Sequence, residues 1–139
     1  MNMKDKIFIA LSTFSEYGEA PLTMIKDSGI DYDLNPLKRR LVKKEILEMC
    51  RDATGIVAGV EPYDSSVLCD LPNLKCISRA GVGVDNIDLD YCREKGIIVS
   101  NVPFYGENTV AEHAFALMIS LSRRVHLAYD RIRRGQFSL

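Results

Sequence analysis

Five short apolar runs recur along the chain at nearly even steps: Ile7–Leu11, Ile30–Leu34, Gly55–Val60, Leu74–Ser78 and Ile97–Ser100. Each begins about 20 to 25 residues after the one before, and the stretches between them carry helical spacing, the pattern of repeated βα units. A strand that follows a crossover helix returns parallel to its predecessor, so this rhythm predicts a parallel sheet covered by helices. The cover segments can be named. Ala20–Ser28 runs into Gly29, a residue suited to a left-handed C-cap, and Val42–Ala53 sets Ile46, Leu47, Met49 and Cys50 against basic residues on its other face. Ser65–Leu71 is stopped by Pro72, and Asp88–Lys95 by Gly96.

Five strands alternating with four helices give an α/β, flavodoxin-like doubly wound layer, which residues 1–100 suffice to build. The chain then changes character. Residues 101–108 (Asn-Val-Pro-Phe-Tyr-Gly-Glu-Asn) form a polar, Pro- and Gly-punctuated connector, and Thr109 with Glu112 makes a capping box that opens one long helix from Val110 to about Arg134. Its middle, Ala114–Ile119, is apolar all round, so it needs cover on more than one side, from a second domain or a second subunit. The 139 residues offer no such domain, so the chain reads as the front part of a larger protein: a domain over 1–100, a hinge connector over 101–108, and an interface helix over 109–139.

Charge and cysteine usage narrow the partners. Lys+Arg number 18 and Asp+Glu 19, a net charge of -1, so no overall field points to nucleic acid or a membrane surface. The balance hides Arg123, Arg124, Arg131, Arg133 and Arg134 near the end, which read as the solvated far end of the last helix. Cys50, Cys69, Cys76 and Cys92 have neither CxxC nor paired metal spacing and read as reduced, mostly buried thiols of a cytoplasmic protein. The N-terminus lacks a secretory cleavage pattern, and the longest apolar run is far short of the ~20 residues a membrane helix needs.

The most informative segment is Ser78-Arg-Ala-Gly-Val-Gly-Val-Asp-Asn86. A strand running into Gly81-x-Gly83 begins like a dinucleotide fingerprint. The third glycine position, however, holds Asn86, and the acid expected about 20 residues on is missing. What remains is a glycine-flanked loop with free backbone N–H groups, a cradle for a small anion, most simply a carboxylate. Other phosphate sites are poorly supported: Glu16 and Glu19 oppose an anion at the Ser12–Ser15 loop, and no aspartate closes the third strand as a phosphoacceptor would require.

Arg79-Ala-Gly-Val-Gly-Val-Asp-Asn-Ile-Asp88, Gly96-Ile-Ile-Val-Ser-Asn-Val-Pro103 and Thr109-Val-Ala-Glu-His-Ala114, in this order and spacing, strongly resemble the D-isomer-specific 2-hydroxyacid dehydrogenases, the family of phosphoglycerate dehydrogenase, D-lactate dehydrogenase and glyoxylate/hydroxypyruvate reductase. The resemblance covers roughly residues 50–139. It implies a flavodoxin-like substrate domain joined through a hinge to a Rossmann domain that binds NAD, and a homodimer formed through the helix matched by residues 108–134. It also implies that the backbone amides of Val82 and Gly83 hold the substrate carboxylate, with Val82 near the nicotinamide. Tyr105 stands where D-lactate-type members carry a substrate-facing tyrosine; an aromatic plug at the hinge is the other reading. Asn101 and Pro103 would shape the crossing strand, Thr109 would cap the helix, and Asp85 and Asn86 would stabilise the turn after the cradle.

The family's acid histidine, its carboxylate partner and its carbonyl-polarising arginine belong to the Rossmann side, so no catalytic residue is assigned here; His113 reads as a packed helix residue and His126 as a surface or interface one. Phosphoglycerate-specific members place an arginine near Ala58 or Gly59, where this chain has none and adds Glu61 instead. The implied function is the substrate-binding part of an NAD-dependent oxidoreductase acting on the CH–OH group of a D-2-hydroxy acid, phosphoglycerate dehydrogenase-like and inactive alone, with a small 2-hydroxy or 2-keto acid as partner. The alternative is a free-standing module that binds a small carboxylate or dimerises without chemistry.

Overall fold

The computed structural model describes residues 4–104 and 106–136. Its internal contacts fall into two units, one ending at Pro103 and the other starting at Phe104.

The first unit alternates strand and helix as the apolar rhythm requires: β1 (Lys6–Ile9), α1 (Ala20–Ser28), β2 (Asp31–Leu34), α2 (Lys43–Met49), β3 (Gly55–Ala58), α3 (Ser65–Leu68), β4 (Cys76–Arg79), α4 (Leu89–Lys95) and β5 (Ile98–Asn101). All strand pairs are parallel, in the order β2-β1-β3-β4-β5, the order of flavodoxin-like doubly wound sheets. Register places Phe8, Ile56, Ile77 and Val99 side by side on one face. Against them pack Leu41, Ile46 and Cys50 from α2 and its flanks, Val67 and Leu68 from α3, and Cys92 from α4, which together make the core. The row on the opposite face is less covered toward β5, where Ile98 is 71% exposed and Cys76 and Ser100 are exposed too.

Local chemistry sets the helix ends. Gly29 and Gly96 take left-handed φ of 69° and 71° and close α1 and α4, as the sequence requires. Asp64 accepts the Ser66 N–H at 3.1 Å to open α3, and Asp88 accepts the Tyr91 N–H at 2.9 Å to open α4. At α2 the Glu45 carboxylate turns back onto the Val42 N–H (3.0 Å) and is gripped by both terminal nitrogens of Arg39. That donor set holds the Glu45 carboxyl at about 2.

The second unit is helical: α5 (Glu107–Ser122) and α6 (Val125–Arg133). Three expectations are corrected. The single helix over 110–134 is two, because Arg124 adopts φ 53° between them; the Ser122 hydroxyl, donating to the Ile119 carbonyl at 3.0 Å, loosens the preceding turn. The capping box at Thr109 does not form: the helix begins two residues earlier, at Glu107, after Gly106 with no side-chain cap. The thiols are not mostly buried. Cys50 and Cys92 are, but Cys69 at the C-terminal cap of α3 and Cys76 on the open sheet face are exposed. Helices α2 and α3 also end earlier than their sequence stops suggest, because Ala53 and Leu71 are buried in irregular segments that feed the next strand.

Candidate functional site

The candidate site lies at the carboxyl ends of the strands, where doubly wound sheets bind ligands. Ala80 extends the ladder past β4 by donating its N–H to the Ala58 carbonyl at 2.9 Å, and Gly81 N–H closes a tight turn on the Arg79 carbonyl at 2.8 Å. The next three N–H groups, of Val82, Gly83 and Val84, donate to no acceptor among the described residues, and both Val82 and Gly83 are exposed. Helix α4 starts only at Leu89, so these amides belong to an open loop. Successive unpaired N–H groups of this kind form an anion-binding concavity.

The loop is fixed at both ends. On its near side the Gly81 carbonyl accepts the Val102 N–H at 3.1 Å, and the Val82 carbonyl accepts Asn101 Nδ2 at 2.8 Å. On its far side Asn86 Nδ2 donates to the Gly59 carbonyl at 3.2 Å and the Glu61 carbonyl at 2.7 Å, and Tyr63 and Ile87 form a short parallel bridge. Asn86 therefore ties the exit of β3 to the exit of β4 rather than bracing its own turn, and Asp85 is exposed with no such bond among the described residues. The expected turn role is corrected for Asp85, and for Asn86 the side-chain to backbone bonds form but reach the neighbouring loop instead of its own turn.

Three charged groups flank the cradle: Arg79, Glu61 and Asp85, whose Oδ2 lies 3.2 Å from where a Cβ on Gly83 would fall. The Arg79 guanidinium folds back beneath the loop, with Nη1 donating to the Ala80 carbonyl at 2.6 Å, and it lies where a Cβ on Gly81 would fall. Glycine at 81 thus lets a cation lie against the cradle's backbone, and Arg79 makes no ion pair among the described residues. Glu61 is buried, 2% exposed, and its carboxylate accepts the Gly59 N–H at 2.8 Å. It therefore occupies one of the amides at the β3 exit that could have served a second anion, and the adjoining hollow sets Arg40 among Asp64, Asp85 and Asp88. Burial, with the Glu61 charge behind it, raises the Tyr63 hydroxyl well above its ordinary range and pushes the Cys50 thiol up to about 12.

Of the residues singled out from sequence, Val82 and Gly83 stand together at the cradle, with Asn101 Nδ2 bonded to the Val82 carbonyl. Tyr105 lies outside the described residues. His113 is exposed on α5 rather than packed, and His126 is exposed on α6. Arg79 carried no assignment in the sequence, although an arginine two residues ahead of the first cradle glycine was visible there. The described residues form no dinucleotide site: the loop opens into no helix, and Asn86 stands at the third fingerprint position. Nor do any His, Cys, Asp and Glu among them group as a metal site.

A model of the D-isomer specific 2-hydroxyacid dehydrogenase catalytic domain matches residues 10–136. The chain is 40% identical over 99 residues to the D-3-phosphoglycerate dehydrogenase of Methanocaldococcus jannaschii, covering 70% of this chain and 19% of that one. It is 29% identical over 136 residues to the glyoxylate reductase of Pyrococcus furiosus, covering 97% and 39%. Among solved structures, the D-lactate dehydrogenase of Aquifex aeolicus complexed with NAD and lactic acid superposes with a TM-score of 0.76 at 27% identity, over 97% of this chain and 39% of that one. The chain thus spans well under half the length of these relatives. Since the family match runs from the end of β1 through α6 and takes in the cradle on its way, the chain belongs to the D-isomer-specific 2-hydroxyacid dehydrogenases.

Proposed function

We propose that this chain supplies the wall of the active site that holds the substrate carboxylate in an NAD-dependent oxidoreductase acting on a D-2-hydroxy acid or its 2-keto counterpart. The observation that carries the reading is the pair of unpaired, exposed N–H groups at Val82 and Gly83, on a loop anchored at both ends at the carboxyl edge of the sheet. A carboxylate presents two oxygens to two such donors, and a cradle that is already rigid orients the 2-carbon without further ordering. Arg79 below the loop adds a favourable field for an anion, which the Asp85 carboxylate beside Gly83 partly offsets.

When bound, NAD supplies or accepts the hydride. The described residues do not fit it as a dinucleotide site, and this chain's contribution to it is the side chain of Val82, 44% exposed at the rim of the cradle. Residues 1–100 act as the substrate domain, 101–108 as a connector, and 109–139 as the start of the cofactor side. Tyr105 would approach the substrate from the connector. The absence of an arginine at Ala58 or Gly59, the capture of the Gly59 amide by Glu61, and the aspartates around Arg40 all favour a substrate without a phosphate. The four unbridged cysteines fit a reducing cytoplasm.

The test is a titration of the isotopically labelled chain with oxamate, a stable 2-keto acid mimic, followed by amide NMR. Saturable downfield shifts centred on Val82 and Gly83 are expected; shifts elsewhere, or none, overturn the reading. The same 139-residue chain, incubated with NAD and a panel of D-2-hydroxy acids, is expected to produce no NADH, since the family's acid histidine, its carboxylate partner and its carbonyl-polarising arginine belong to the cofactor side in this reading. Steady turnover would show that the catalytic groups had been misplaced.

A further inference from the structure

The two donors of the cradle are each one end of a peptide unit whose other end is held by β5's exit. A trans peptide points its carbonyl and the following N–H in opposite directions, and no peptide among the described residues is cis. The Gly81 carbonyl and the Val82 N–H share one plane, and the Val102 N–H fixes it from the carbonyl side. The Val82 carbonyl and the Gly83 N–H share the next plane, and Asn101 Nδ2 fixes that one at 2.8 Å. Both N–H groups are therefore turned away from β5, and both residues are exposed.

Resting on the carboxylate reading given above, we propose that Asn101 is a positioning residue for substrate binding: its side-chain amide sets the orientation of the Gly83 N–H and strengthens it as a donor. Two observations and one general principle bear on this. Asn101 closes β5 in register with Arg79, the last residue of β4, so its side chain starts from a fixed point beside the loop it reaches. It is exposed, and its amide makes one protein contact among the described residues, the Val82 carbonyl. Asn35, by contrast, is buried, with an amide bonded to Ala10 and Arg39 and an oxygen taken by Leu37, as a residue that satisfies the interior should be. Finally, a donor on a carbonyl polarises the whole peptide unit, so the N–H at its other end becomes a better donor to an anion. Asn101 thereby acts on the carboxylate without touching it.

The experiment repeats the oxamate titration on Asn101→Ala and Asn101→Leu, the second close to asparagine in volume but without the donor. Both variants are expected to keep the thermal midpoint and the remainder of the amide spectrum, because the side chain is exposed, while the oxamate Kd rises about fivefold, the scale of one net hydrogen bond. The carbonyl carbon of Val82 should also shift in the ligand-free variants, which a purely structural role elsewhere would not produce. In the unsubstituted chain a through-hydrogen-bond coupling between Asn101 Nδ2 and the Val82 carbonyl carbon is expected; its absence overturns the inference even where a variant fails to fold. If oxamate moves neither cradle amide in the parent chain, the carboxylate reading fails and this inference with it. If parent and variants bind oxamate equally, this inference alone fails.

Discussion

Asn86 and Asn101 hold opposite ends of one loop with neutral amides, each donating to carbonyls that no strand or helix would otherwise satisfy. Removing Asn86 leaves the part-buried carbonyls of Gly59 and Glu61 without a donor, so Asn86→Ala is expected to lower the free energy of unfolding by about 1–2 kcal/mol. Urea denaturation checks this, and an unchanged midpoint would mean that water replaces the amide at no cost. The cysteines give a second check at this scale. Cys50 combines full burial with a thiol pushed up to about 12, whereas Cys69 and Cys76 are exposed. Brief iodoacetamide treatment of the native chain, read by mass spectrometry, is expected to label Cys69 and Cys76 and to spare Cys50 and Cys92 until denaturant is added. Early labelling of Cys50 would contradict the packing of α2 against the sheet.

At the scale of elements, α2 carries the clearest pH signature. Glu45 is held at about 2 against an ordinary 4.5 by Arg39 first and the Val42 N–H second. A carboxyl whose pKa falls on folding contributes stability that is complete above its unfolded value and lost as pH drops through the folded one. The thermal midpoint should therefore decline between pH of about 4.5 and 2, and Glu45→Gln should make that decline shallower. It should not abolish it, because Asp64 is also held low, by Lys43 first. Parallel declines in parent and variant would remove Glu45 from the account.

The same elements show what a sequence can disclose. The five strands, the α1 boundaries and the glycine stops at 29 and 96 were legible because each rests on local signals: periodicity, a cap, a left-handed residue. The break at Arg124 was not, since neither glycine nor proline marks it and arginine seldom takes φ 53°. The site divides along the same line. Gly81 and Gly83 announce an unusual loop by themselves, while the reach of Asn86 to a loop 25 to 27 residues earlier depends on β3 and β4 lying side by side.

For the whole molecule the dominant feature is apolar surface on the second unit. Val110, Phe115, Leu117, Met118, Ile119 and Leu121 of α5 are all at least half exposed in this chain, more than solvent-facing helices of soluble monomers normally show. Self-association through α5 is the expected result, in keeping with the homodimer that the resemblance to the family implies. Light scattering at micromolar concentration should report more than one chain per particle, and Phe115→Glu combined with Leu121→Glu should return it to one. A well-folded monomer of the parent chain would count against a dimer built on this helix.

Strand order has a consequence for the newly made chain as it leaves the ribosome. β1 pairs with β2 on one edge as soon as residue 34 is available, but its other edge waits for β3 and residue 58, after which β4 and β5 can only be laid down at the growing margin. The sheet is completed by accretion in a single direction. The strand added last is β5, which brings Asn101 and Val102 to the cradle. A nascent first unit can thus have four of its five strands in place while the Gly81 and Val82 carbonyls still wait for Val102 and Asn101, the final residues before Pro103.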